Sequence, residues 1–173
     1  MSNSFQELIF QRIIMKKIFG IVLALMTTLF MSSCFKDSQS VFDSTYLVEF
    51  QDAVVTSPAT SLGKTYPIIS VANGAGLQTR RINLVGRQRP NQESIKFSVD
   101  TKESTAVEGV HYSLEGGVVT LAANSSFGDC KFNILRAPSA TGTNVLLVLV
   151  LEGNGSDIKP NENYKRLGFR INL

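Results

Sequence analysis

One histidine, His111, and two cysteines, Cys34 and Cys130, are all the chain offers for conventional acid–base or thiol chemistry. His111 lies between Glu108 and Glu115, at spacings that match no known carboxylate pair. Serines and aspartates are plentiful, but no G-x-S-x-G elbow surrounds any serine, so a Ser-His-Asp trio has no local support. His111 reads either as a lone base or as a turn residue supporting Tyr112, and a single histidine excludes a His-rich metal cluster. Gly74-Ala75-Gly76 has the look of a phosphate loop, yet such a loop needs a helix behind it whose first amides face the anion. A strand carrying Arg80 and Arg81 follows instead, which favours a hairpin connection. Arg80, Arg81, Arg87 and Arg89 form a basic cluster that suits acidic glycans or lipid headgroups, or serves as a solvated strand end. With no tryptophan, the stacking platforms for a sugar ring are Tyr46, Tyr66, Tyr112 and Tyr164. The candidate ligand contacts are Tyr112, His111, Arg80 and Arg81, and no catalytic residue, cofactor or metal is expected.

Cys34 stands in a different context. From Met15 the chain reads MKKIFGIVLALMTTLFMSSC: two lysines, an apolar run from Ile18 to Met31, two serines, then the thiol. This is the charged, apolar and small-residue order of a secretory signal, and its apolar run is shorter than the roughly 20 residues of a permanent span. Met31-Ser32-Ser33-Cys34 resembles the lipobox of bacterial lipoproteins, in which cleavage precedes the cysteine and its sulfur is acylated. Met31 replaces the usual leucine and Ser33 the usual alanine or glycine. The resemblance implies a signal over residues 1–33 with its natural start at Met15, a lipid anchor on Cys34, and a polar tether over 34–44. Two or three acyl chains hold a protein at a bilayer far more firmly than one. The alternatives are an ordinary cleaved signal with an incidental cysteine, and an uncleaved anchor. Position 35 is phenylalanine rather than aspartate, which points to the outer membrane, and Lys36-Asp37 faintly resembles an acidic surface-export signal.

The remainder supplies one folded domain, 45–173. The whole chain is 43% apolar and 18% charged with a formal charge of +3. Arg12, Lys16 and Lys17 account for most of that charge, so the domain is close to neutral and lacks the basic surplus of a nucleic-acid binder. Period-two stretches recur between Gly, Pro, Asn and Ser clusters. They predict strands over 46–56, 66–72, 80–86, 94–101, 117–122, 130–136, 144–152 and 165–172. Ile95, Phe97 and Val99 alternate with Lys96 and Ser98, and Cys130, Phe132 and Ile134 alternate with Lys131 and Asn133. Val145 to Leu151 is apolar throughout, the pattern of a central strand covered on both sides or of one packed on a partner. An all-β, antiparallel, immunoglobulin-like two-sheet sandwich accommodates these strands, with a barrel as the alternative. Cys130 then falls on a dry strand face. With Cys34 acylated it has no thiol to pair with, so it reads as a buried structural thiol rather than a redox group.

TAVEGVHYSLEGGVVTLAANSSFGDCKFNILR, residues 105–136, resembles the A-x-x-G-x-D-Y, V-T-hydrophobic and alternating-strand arrangement of Calx-beta-like sandwich domains. It is similar to Bacteroidetes lipoproteins built on such a domain, on the turn Gly109 to Tyr112, on Arg136, on the strand Val145 to Leu151 and on the Asn-rich loop 154–163. The resemblance spans most of 45–173. Calcium binding is not implied, because His111 stands where aspartate is common and the loop 136–144 has no carboxylate, whereas Ca²⁺ takes six to eight oxygens.

These readings lead to the expectation of a non-enzymatic outer-membrane lipoprotein, held by acylated Cys34, that binds another envelope protein or helps assemble an envelope complex. The alternative is a glycan-binding accessory in a polysaccharide-uptake system.

Overall fold

Alternation decides which face of each strand is dry. In the computed structural model, which describes residues 12, 17, 45–138 and 142–173, Cys130, Phe132 and Ile134 are buried while the alternating Asp129 and Lys131 are exposed. That is the period-two pattern of a strand covered on one side. The expected cleavage motif Met31, Ser32 and Ser33, the acylated Cys34 and the tether to Ser44 lie outside the described residues, as does the 1–33 signal apart from Arg12 and Lys17.

Among the described residues, ten strands form two five-stranded sheets. The first sheet contains β1 (Tyr46–Phe50), β3 (Gly76–Val85), β5 (Tyr112–Leu114), β7 (Phe127–Ile134) and β9 (Ile158–Pro160), in the order β5-β7-β3-β1-β9. The second contains β2 (Ile68–Ala72), β4 (Glu93–Val99), β6 (Val118–Leu121), β8 (Asn144–Gly153) and β10 (Arg166–Asn172), in the order β2-β10-β8-β4-β6. Their inner faces share one core. Phe132 of β7 and Phe169 of β10 meet across it with ring centroids 4.8 Å apart at 57°, a tilted aromatic contact between the sheets.

The all-β sandwich matches the expectation, with three corrections. The sheets are mixed rather than purely antiparallel, since β9 runs parallel to β1 and β2 parallel to β10. The stretch predicted as one strand over 46–56 stops at Phe50 and turns into a short helix, α1 (Gln51–Val55). Two valines favour a strand by propensity, but Ala53 is drawn into the core and the Phe50 N–H is taken by Tyr164 O at 3.0 Å. The connection after Gly74 is not a hairpin either: it carries the chain from β2 in the second sheet to β3 in the first. Asn73 pins it, its side chain donating to Ala137 O and accepting from Ala137 N–H, both at 2.8 Å.

β8 is the middle strand of its sheet, and its inner residues Leu147, Leu149 and Leu151 enter the core. On the other face Val148 is also fully buried. It lies opposite Gly168, and a Cβ on Gly168 would meet Tyr66 Cε2 at 3.1 Å, so the Tyr66 ring covers this face.

The four sheet edges differ. β5 and β9 are three residues long, and β9 ends in Pro160. β6 packs against β7 of the opposite sheet. β2 is open among the described residues: Gly168 N–H donates to Pro67 O and Asn73 N–H to Asn172 O, so ladder alternation turns the N–H and C=O of Ser70 away from β10. Ile68 to Ala72 carries no charge and no proline.

The contact of β6 with β7 requires a glycine. A Cβ at Gly128 would lie 2.8 Å from Val119 Cγ1 and 2.9 Å from Thr120 O. Gly128→Val is therefore expected to lower stability by about 1–3 kcal/mol through overpacking. Urea denaturation measures this, and an unchanged midpoint would show that β6 does not bear on β7.

Candidate functional site

The four sequence-predicted contacts do not converge. His111 closes a turn: its Nδ1 accepts the Val107 N–H at 2.9 Å, its own N–H donates to Val107 O, and its C=O accepts the Leu135 N–H. The Nδ1 atom acts as acceptor, so the neutral imidazole carries its proton on Nε2. Tyr112, at the start of β5, is only 5% exposed and belongs to the core. Burial, with the nearby Glu108 carboxylate, pushes its phenol above the ordinary value. This corrects the expectation of a ligand-facing ring, because the Tyr112 side chain takes the dry side of β5.

Arg80 and Arg81 are successive residues of one strand and face opposite ways. Arg80 turns inward, its guanidinium 5.4 Å from the Phe169 ring centroid and 3.9 Å from Asp52. Among the described residues its Nε is buried without a hydrogen-bond partner, although 23% of the side chain stays exposed, so Arg80 sits half-buried at the margin of the core. Arg81 turns outward onto the first sheet. The expected basic cluster thus disperses, and Arg89 leaves it altogether, stacking 4.5 Å over Tyr46 and pairing with Glu93 and Asp157 at 3.0 and 2.8 Å.

Where β6 rests on β7, the outer side of the contact forms an open groove of about 530 Å³. Arg81, Glu115, Thr120, Phe127, Asp129 and Lys131 line it. Phe127 is 51% exposed, and the Arg81 guanidinium lies 4.8 Å from its ring centroid. Glu115 is fixed by Asn133 Nδ2, which donates to it at 2.7 Å. Formal charge in the groove balances, two cations against two carboxylates. Only Arg81 was a sequence candidate, whereas the other lining residues follow from the way β7 extends back to Phe127. An aromatic residue at a wet position of that alternation was the available signal.

A second polar cluster covers the outer face of the second sheet. Glu103 accepts from the Tyr66 hydroxyl at 3.0 Å and pairs with Lys64. Burial and this hydrogen bond push the Tyr66 phenol well above its ordinary value. The Lys64 ammonium and the Tyr66 hydroxyl hold Glu103 below the usual carboxylate range. At Asp100 burial acts upward, but Arg166 Nε at 3.0 Å and the Lys102 N–H outweigh it, so its carboxyl also lies low. Each interaction belongs to a pair or cap and fastens loop 100–106 to the sheet. Among the described residues no group of three or more His, Cys, Asp and Glu side chains could hold a metal ion, and no helix is long and apolar enough to cross a membrane.

The apo-form Calx CBD1 domain superposes on this chain with a TM-score of 0.55 at 10% identity, over 74% of this chain and 96% of that domain. The fold is Calx-beta-like. CBD12 from CALX1.2 gives 0.51 at 10% identity, and a Bacteroides ovatus protein of unknown function gives the same score and identity. They are covered over 42% and 52% of their lengths, and this chain over 72% and 75%, so it spans about half of each. No protein-family model matches the sequence, and no curated protein does.

Inside the Calx-beta-like sandwich Cys130 is fully buried, and desolvation pushes its thiol up to about 12. On the order of one thiol in ten thousand would be ionised at pH 8. With Cys34→Ser leaving Cys130 as the single thiol, we expect no modification by a disulfide reagent in native buffer and full modification in denaturant. Rapid native labelling would contradict its burial.

The low carboxyls of Asp100 and Glu103 predict an acid-labile component of stability. Both folded values lie below the unfolded ones, so the contribution is full above the ordinary pKa values of about 3.9 and 4.3, and is lost as pH falls through the folded values. Asp100→Asn should destabilise at pH 7 and narrow the difference between pH 7 and pH 3. Urea midpoints at both pH values test it, and an equal pH dependence in variant and parent would count against the pair with Arg166.

Proposed function

We propose that the chain is a lipid-anchored, non-catalytic interaction module of a bacterial outer membrane. Its signal is cleaved before Cys34, the thiol is acylated, a short polar tether follows, and the sandwich engages another envelope protein. The observation that carries the protein-binding part is the open edge of β2. Among the described residues the Ser70 N–H and C=O have no partner, and they lie on an uncharged strand already ordered by β10, an arrangement suited to the addition of a partner's extended strand. Main-chain hydrogen bonds would supply affinity, and the half-buried Ile68, Ile69 and Val71 would add apolar contact.

Ser70→Pro separates this surface from the fold. It removes an N–H that faces away from β10 and leaves the ladder to β10 intact, the placement in which a strand tolerates proline. Affinity purification of the acylated protein from its own envelope should recover a partner with the parent chain and lose it with Ser70→Pro. The same partners at the same yield in both would overturn the edge. Mass spectrometry of that sample should find a mature N-terminus at acylated Cys34, and Cys34→Ser should move the protein out of the membrane pellet. An unmodified N-terminus elsewhere would remove the anchor.

Saccharide binding is a second reading, favoured by a separate observation, the polar groove with a half-exposed Phe127 on the other sheet.

A further inference from the structure

Asp129 lies directly opposite Arg81 in the β3–β7 ladder, and Lys131 is two residues further along on the same face. Opposite charges so placed ordinarily close a cross-strand pair. Here the Arg81 guanidinium swings diagonally onto the Phe127 ring instead. Among the described residues, neither the Asp129 carboxylate nor the Lys131 ammonium forms a side-chain hydrogen bond or ion pair.

We propose that this groove between β6 and β7 binds a neutral, hydroxyl-rich saccharide a few rings long, with Phe127 as its apolar platform and Arg81, Asp129 and Lys131 as its polar contacts. The inference rests on the saccharide reading and adds to it a site and a ligand class. The unused capacity alternates in kind: Asp129 only accepts, Lys131 only donates, and Arg81 keeps donors free beside the ring. A sugar hydroxyl both donates and accepts, so a row of hydroxyls satisfies all three at once. An anionic chain would face Asp129 and Glu115, and a cationic one Arg81 and Lys131. The balanced lining selects against either.

Phe127 supports the same class. Its backbone is clamped by Ser125, whose hydroxyl accepts the Phe127 N–H at 3.1 Å and donates to Phe127 O at 3.0 Å. The backbone that carries the ring is therefore held at the rim of a polar groove, and the ring itself is about half in solvent and outside the core cluster. An aromatic ring beside planar polar groups complements a pyranose, which has an apolar C–H face and a hydroxyl rim. The volume of about 530 Å³ falls inside the ~300–1,000 Å³ typical of small-ligand sites. The groove is open, so a longer chain can run through it. Glu115 is already fixed by Asn133, which reduces the ordering cost on binding.

The test is affinity electrophoresis of the full chain carrying Cys34→Ser, in native gels cast with dextran, laminarin, xyloglucan, galactomannan or glucomannan, and in parallel with polygalacturonate and heparin. At least one neutral polysaccharide should retard the protein. Phe127→Ala and Asp129→Ala should each weaken that retardation about tenfold or more, the loss expected of a central contact. Both residues are exposed, and thermal unfolding of each variant checks that it folds. Retardation untouched by both substitutions would overturn the site while leaving the saccharide reading standing. Retardation by the anionic gels alone would overturn the ligand class. No retardation by any polysaccharide would overturn both, without bearing on the β2 edge.

Discussion

A methyl group at position 128 would lie within 3 Å of Val119, Thr120 and Leu121, closer than non-bonded atoms approach, so the two sheets can meet along this side only because residue 128 has no side chain. Once β6 rests on β7, Val119 and Leu121 reach the core and are buried, while Thr120 is left on the outside beside Phe127 and Asp129. The contact that seals the core therefore also builds the groove. A counterpart occurs at Gly153, where φ is +85° and a Cβ would stand 2.2 Å from Ile158 O. There the missing side chain lets the chain cross from β8 to β9, with Asn154 N–H donating to Ile158 O.

Between strands, asparagine does the work that backbone does within them. Asn154 Oδ1 accepts the N–H groups of Ser156 and Ile158, and its amide reaches Glu93 and Asp157. Asn161 Oδ1 accepts the Asn163 N–H, and its Nδ2 donates at 2.8 Å to Glu49, the one buried polar or charged residue among the described residues. Short carboxamides mimic a turn's own hydrogen bonds, which explains why this loop is rich in them. Each buried group left without its partner would cost about 1–3 kcal/mol. The Asn-rich stretch is thus accounted for by loop geometry.

Most of the sandwich could be read from alternation. The strands around Phe97, Phe132 and Leu149 lie where the sequence places them, and β8 is central and covered on both faces at Val148. What was illegible depends on tertiary partners. Three-residue strands such as β5 and β9 are too short to show a period, and α1 forms against its valines' propensity because Ala53 and Asp52 find partners in the fold. Parallel pairing leaves no mark on a single strand. The groove was missed for a narrower reason: starting β7 at Cys130 hides that Phe127 shares its wet side with Asp129 and Lys131. Tyr112 misled because a tyrosine in a turn motif looks exposed, whereas period two places its ring inside.

The same periodicity governs what the surface can do. Arg80 and Arg81 are identical in chemistry and adjacent in sequence, yet one stacks on a core phenylalanine and the other on a solvent-facing one. The two candidate surfaces are likewise set apart by topology, since β2 and β6 are opposite edges of one five-stranded sheet. Four strand spacings of about 4.8 Å separate them by roughly 19 Å. A strand added to β2 extends the sheet away from β6, and a ligand in the groove lies on the outer side of β7. Neither proposed occupant would need the residues of the other, so one module would have room for both at once.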